Sequence, residues 1–265
     1  MINTVRIGTL EYQTAEGIAV PHCFTTRRGG VSQDHLDSLN LGVHRGDDRA
    51  NVEENFRILG DALGFDRDNL VLTNQVHQNT VRLVTKADGR GIDNRDYPEC
   101  DALITADPGT ALLVFTADCT PILLWDQVTG AVGAAHAGWR GAALDIAGAT
   151  VRAMVREFGC DPAHLHAAIG PNIGPCCFET DAEVPEAMVK ALGPIAAESI
   201  RPVGQKYYVN LKTINAQFLR NAGVNHIEIS ADCTMCLHDK YWSHRYTRGH
   251  RGSQGAIIVC QEVQP

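Results

Sequence analysis

Three residues combine reactive types with unusual settings: His77, Cys119 and His136. Cys119 lies in Thr116-Ala117-Asp118-Cys119-Thr120-Pro121, between two apolar runs. Pro121 suits the first position of a strand, so the thiol falls in a tight connection between buried strands. A buried cysteine can pack as a small hydrophobe, but the polar frame of Thr116, Asp118 and Thr120 favours a reactive or ligating sulfur. His136 ends the small-residue run Val132-Gly133-Ala134-Ala135 and precedes Ala137-Gly138-Trp139-Arg140-Gly141. Glycine there permits close backbone approach, and a helix start would offer free N–H groups to an anion. His77 sits in a polar knot, Asn74 to Asn79, between two strand-like runs. Two neutral imidazoles and a thiolate suit zinc, with copper the alternative, and three protein ligands leave one position open for water or substrate. Cys119 and His136 also suit a metal-free pair, thiolate nucleophile and imidazole base, which does not need His77.

Other groups compete. Cys233-Thr234-Met235-Cys236 has metal-ligand spacing, with His238 and His244 nearby, but no second CxxC completes it. Cys176-Cys177 follows a turn-rich loop, Gly170 to Pro175. His164-Leu165-His166 would share one face of a strand, yet the pair reads better as two partly exposed surface histidines. A multicopper cluster needs several such pairs, and the chain has one. Arg140, Arg245, Arg248 and Arg251 could recognise phosphate or carboxylate. Asp118 is the nominee for proton carrier. Ala117-Asp118-Cys119-Thr120 recurs as Ala231-Asp232-Cys233-Thr234, a short internal echo.

These residues need strands to hold them. Asp101–Thr105, Ala111–Thr116, Ile122–Trp125, Ala131–Ala135, Leu165–Ile169 and Ala256–Cys260 read as short buried strands, with turn signals at Asp107-Pro108-Gly109 and Val128-Thr129-Gly130. Val5–Leu10, Ile18–Thr25, Leu70–Thr73 and Thr80–Thr85 are further strand-like runs. Helices are expected over Asn51–Leu63, directly after Ala137-Gly138 with Ala143 to Phe158 along its apolar face, over Asp181–Leu192 and over Leu211–Ala222. With no linker in the chain, the pattern predicts one α+β domain spanning residues 1–265, with mixed β-sheets layered between helices. At 265 residues, 44% hydrophobic and 20% charged, the composition is that of an ordinary globular protein. The net charge of −8 argues against nucleic acid or anionic membranes as partners. An anionic substrate must therefore be held by local groups. Met1 to Leu10 does not read as a signal peptide. Nine cysteines, an odd count, then suggest reduced thiols in a cytoplasmic protein.

Taken together, the motifs resemble the laccase-domain family, also called multicopper polyphenol oxidoreductase, purine nucleoside phosphorylase and peptidoglycan editing factor. The matching pieces are Thr26-Arg27-Arg28-Gly29-Gly30-Val31-Ser32, Leu39-Asn40-Leu41-Gly42, Gln75-Val76-His77, Thr116 to Pro121 and His136 to Gly141. Ile169-Gly170-Pro171 with Cys176-Cys177, and Cys233-Thr234, complete the set. The resemblance implies a zinc site at His77, Cys119 and His136; Arg140 and Asn40 are the candidate substrate contacts beside it. It also implies phosphorolysis of adenosine, inosine and methylthioadenosine to free base and a ribose 1-phosphate, plus hydrolytic deamination of adenosine. The substrates would be a purine nucleoside and phosphate. Alternatives within the family are a cysteine amidase and a copper phenol oxidase. Tyr241-Trp242-Ser243-His244-Arg245-Tyr246 departs from the family's usual Phe-Phe-Ser-Tyr-Arg-Arg run.

Overall fold

A computed structural model describes residues 1–262. The strands run β1 (Ile2–Ile7), β2 (Leu10–Ala15), β3 (His22–Thr25), β4 (Leu70–Leu72), β5 (Val81–Leu83), β6 (Ala102–Thr105), β7 (Ala111–Thr116) and β8 (Thr120–Asp126). They continue with β9 (Val132–Ala137), β10 (Leu165–Ile169), β11 (Glu179–Thr180), β12 (Ile200–Val203), β13 (Lys206–Val209), β14 (His226–Ile229) and β15 (Gln254–Val259). The helices are α1 (Arg49–Leu63), α2 (Trp139–Ala143), α3 (Ile146–Phe158), α4 (Glu183–Leu192), α5 (Leu211–Asn221) and α6 (His244–Thr247).

Two six-stranded sheets form the frame. One has the order β1-β2-β3-β15-β7-β4 and the other β14-β10-β8-β9-β6-β5. Each is mixed: β4 with β7, β5 with β6 and β10 with β14 are parallel, while their other pairs are antiparallel. This is the expected α+β architecture with mixed sheets between helices. A small sheet, β11-β13-β12, lies apart from the main frame and was not foreseen. Its strands are short and largely exposed, so they carry no apolar run to announce them.

The unbroken apolar run of β8 follows from burial on both faces. Leu123 joins the cluster that also holds Leu112, Val114 and Ile257 of the first sheet, whereas Ile122 and Leu124 join Ile146, Val151 and Met154 of α3 and Ile214 of α5. Side chains alternate along a strand, so one strand feeds two cores. Small residues on β9 let α3 lie close; a Cβ on Gly133 would come 3.2 Å from the Met154 sulfur. On the far side, α1 buries Val52, Phe56, Leu59 and Leu63 at helical spacing, with Asp48 capping its first turn.

The single helix expected after Gly138 is two helices. Asp145 takes a left-handed backbone (φ 58°) and turns its carboxylate to accept from Gly148 N–H at 2.9 Å, which ends α2 and starts α3. An aspartate can do this because its short polar side chain bonds the local backbone. The consequence for the site is direct: α2 has five residues and offers little as an anion anchor.

Candidate functional site

His77, Cys119 and His136 come together from three connections. Cys119 lies in the turn that leaves the first sheet at β7 and enters the second at β8. His136 sits on β9, beside Pro121 of β8. His77 belongs to the segment that passes from β4 in the first sheet to β5 in the second. One nitrogen from each histidine and the cysteine sulfur all lie within 4.8 Å of one another. The two imidazoles meet edge to face at 4.9 Å.

Asp101, just before β6, organises this set, and sequence reading passed over it. Its carboxylate is fully buried and accepts from four donors. Oδ1 takes His136 Nδ1 at 2.8 Å and His77 N–H at 3.0 Å; Oδ2 takes Val76 N–H at 3.2 Å and Gln78 N–H at 2.8 Å. These bonds hold His77 in its left-handed backbone, φ 60°. They also fix His136 with Nδ1 committed to Asp101, leaving Nε2 for the site. Burial opposes charge on Asp101, but His136 and the surrounding N–H groups outweigh it and hold the carboxyl below its ordinary range. The only hint in sequence was an aspartate opening an apolar strand.

The chemistry of the donors fits a metal ion. Zinc bonds nitrogen and sulfur at about 2.0–2.3 Å, so small side-chain rotations would bring all three atoms onto one centre. The backbone after β9 comes close to this set: a Cβ on Gly138 would lie 2.5 Å from His77 Nδ1 and 3.3 Å from the Cys119 sulfur. Without an ion, burial disfavours the imidazolium of His136, yet the Cys119 sulfur and Asp101 push it up to about 9. His77 is lowered, first by burial and then by His136.

The three donors face a cleft of about 320 Å³ lined by Gly42, Val43, His44, Arg45, Asn74, Gln75, Phe115, Thr116, Ala117, Arg251 and Ser253. Arg45 and Arg251 supply its positive charge. Among the described residues neither is ion-paired, and Arg251 donates only to Gly252 O and Ser253 Oγ, both at 2.9 Å, leaving its buried Nε unpartnered. Burial and the nearby Arg45 bring Arg251 down to about 10. Arg251 was among the arginines singled out by sequence; Arg45 was not, since it lies in a polar loop with no distinguishing motif.

Other expectations fall elsewhere. Arg140 is exposed, stacks on the neighbouring Trp139 ring at 4.2 Å, and lies near His77 without lining the cleft. Asn40 is fully buried with both ends of its amide engaged: Oδ1 accepts from Gly42 N–H and Ser253 N–H, and Nδ2 donates to Asp47 and Gly42 O. It shapes the cleft wall and does not face the cleft. Asp118 is no free proton carrier, because Oδ1 accepts from Thr234 Oγ1 at 2.6 Å and Oδ2 from Arg245 N–H at 2.7 Å. Arg245 reaches Glu179 O, and Arg248 caps α6. His164 closes a 3-10 turn while His166 sits in β10 stacked on His226, so the HxH pair is not one ligand face. All nine cysteines are free. No helix among the described residues is long and apolar enough to cross a membrane.

A family model described as multi-copper polyphenol oxidoreductase laccase matches residues 21–261. The chain is 39% identical over 245 residues to purine nucleoside phosphorylase YlmD of Geobacillus stearothermophilus, covering 90% of this chain and 89% of that protein. It is likewise 39% identical to a purine nucleoside phosphorylase of Deinococcus radiodurans, covering 92% and 90%. Among solved structures, the hypothetical protein YfiH of Bacillus licheniformis superposes with a TM-score of 0.92 at 32% identity, covering 98% of this chain and 99% of that one. The Geobacillus YlmD structure gives 0.91 at 35%, with the same coverage. A match in sequence over nearly the whole chain and in fold at this level places the protein in the multi-copper polyphenol oxidoreductase laccase family, the laccase-like family to which the YlmD and YfiH proteins belong.

Proposed function

We propose that this protein is a zinc-dependent purine nucleoside phosphorylase that also deaminates adenosine. The observation that carries the reading is the joining of two features in one cleft: the His77–Cys119–His136 donor set, and two arginines that have no carboxylate partner among the described residues. Relatives named as purine nucleoside phosphorylases support it. Zinc is chosen over copper because it bonds nitrogen and sulfur without demanding a redox partner.

His77, Cys119 and His136 would hold the ion, which supplies a Lewis acid able to polarise an oxygen of substrate or water. The chain's own groups do the positioning. Arg45 and Arg251 hold phosphate oxygens by charge-assisted hydrogen bonds against the overall charge of −8. Phe115 and Val43 offer apolar wall to a purine ring. Asp101 keeps His136 from rotating or changing tautomer. In phosphorolysis a phosphate oxygen bonds the ribose C1′ as the C1′–N9 bond breaks; its electron pair leaves with the purine, and the proton of hydrogen phosphate ends on the base. Deamination replaces the C6 amino group with oxygen from water and releases ammonia.

The test is phosphate-dependent release of adenine or hypoxanthine, run beside elemental analysis of untreated protein. Cys119→Ala, His77→Ala and His136→Ala should each lose the ion and base release while remaining folded. Ordinary base release from any of them would refute the reading.

A second reading is favoured by one feature: Cys119, His136 and Asp101 line up as thiol, imidazole and carboxylate, the order of a cysteine hydrolase or amidase. Chelation separates the two. It should abolish phosphorolysis, whereas a thiol hydrolase would survive it, and His77→Ala would leave that hydrolase active.

A further inference from the structure

The second cysteine cluster lies outside the cleft. Cys176 and Cys177 are on the loop between β10 and β11, and Cys233 and Cys236 on the segment after β14. Their four sulfurs lie within 4.8 Å of one another. The sequence placed His238 and His244 beside Cys233 and Cys236, but the structure supplies Cys176 and Cys177 instead; His238 stacks on Tyr246 at 3.6 Å.

We propose that Cys176, Cys177, Cys233 and Cys236 form a second metal centre, a closed four-thiolate site for one zinc ion that joins these two segments. The sulfur spacing is that of ligands. Cys236 Sγ lies 3.5 Å from Cys176 Sγ and 3.4 Å from Cys177 Sγ, far beyond the roughly 2.05 Å of a disulfide. A tetrahedron with Zn–S bonds of about 2.3 Å has edges of about 3.8 Å. Cys236 is also nearly equidistant from two adjacent cysteines, so no unique disulfide pair is set up.

The backbone is built around the sulfurs. Gly174 N–H donates to Cys233 Sγ at 3.1 Å, and the N–H groups of Cys236 and Met235 face the same atom. Peptide N–H groups converging on one sulfur stabilise a thiolate, the form that binds metal. Gly174 makes the approach close: a Cβ there would crowd the cluster, 3.1 Å from the Cys233 Cβ and 3.3 Å from the Cys176 sulfur. Four thiolates and a divalent ion carry a net charge of −2. Lys212 answers part of it; its buried ammonium donates to Ser230 O and Asp232 O, both at 2.7 Å, and faces Cys233 and Cys176. Tetrahedral all-sulfur sets select zinc or iron, and full coordination by protein marks a structural ion. The internal echo acquires a meaning too, since its two cysteines, Cys119 and Cys233, each belong to one donor set.

The experiment counts ions in full-length protein purified under reducing conditions from zinc-supplemented cells. Wild type should hold two zinc ions per chain. Cys119→Ala should hold one and lose base release; the double variant Cys176→Ser/Cys236→Ser should hold one, unfold at lower temperature and keep base release. Cobalt added to metal-free Cys119→Ala should bind one equivalent, with the strong visible absorption of tetrahedral thiolate coordination. That arm stands even if the double serine variant fails to fold. One ion in wild type and none in Cys119→Ala would overturn the proposal. So would a disulfide within the cluster, or iron in place of zinc. Because the second ion is counted in a variant without the first site, its absence is distinguishable from failure of the phosphorylase reading.

Discussion

Asp101 shows how much a single buried carboxylate can organise. One oxygen orients an imidazole while the pair of oxygens gathers three consecutive N–H groups. Asp101→Asn keeps the shape but replaces one acceptor with a donor that faces N–H groups. Outer partners of this kind are worth about 10–100-fold in metal affinity or activity. Asp101→Asn should therefore lower zinc affinity and base release by that range, with circular dichroism unchanged; unaltered affinity in a competition titration would contradict the assigned role. On the proposed reading of the cleft, Arg251→Ala and Arg45→Ala should each raise the KM for phosphate about tenfold or more, with a smaller effect on the KM for nucleoside. An equal rise in both constants would place the arginines elsewhere in the reaction. His77, Cys119 and His136 were legible beforehand because polar residues interrupt apolar runs there. Asp101 and Arg45 were not, because nothing in their immediate neighbours distinguishes them; only the folded chain shows that one meets His136 and the other meets Arg251.

At the level of elements, β-strands with buried faces were the readable part. Ala111–Thr116 and Leu165–Ile169 were expected with the bounds they have, since each is a short apolar run between turn residues. The exposed strands of the small sheet and the break at Asp145 were invisible, one for want of an apolar pattern and the other because a left-handed aspartate depends on its own cap. Gly138→Ala tests the close approach of the turn after β9 to the His77 segment. The added Cβ would collide with His77 Nδ1, so the variant should fold and lose the first ion. A fully loaded, active Gly138→Ala protein would show that the approach is not needed. His22, on β3, makes a pH prediction far from either cluster. Its Nε2 accepts from Ala15 N–H at 2.8 Å and its Nδ1 donates to Val20 O at 2.7 Å, which requires the neutral ring. Burial lowers its pKa below the ordinary 6.5. The unfolded chain then binds the proton more readily, so this contribution to stability is present above pH 6.5 and is lost as pH falls toward the lowered folded value. Urea midpoints measured from pH 7.5 down to 5 should fall, and His22→Gln should flatten that slope.

Across the whole molecule, the two large sheets share a core through Leu123, which is fully buried. Leu123→Ala should cost about 2–5 kcal/mol in urea denaturation by leaving a cavity between them. A loss well under 1 kcal/mol would mean the sheets close over the gap. The first donor set spans this same junction: β7 hands the chain to β8 through Cys119, β4 hands it to β5 through His77, and His136 stands on β9. An ion held by all three would be a fastener between halves of the sandwich, and its grip a gauge of their alignment. A sub-ångström slip of one layer over the other, caused by a substitution deep in the interior, would be read out at the mouth of the cleft as a looser ion before any strand came apart.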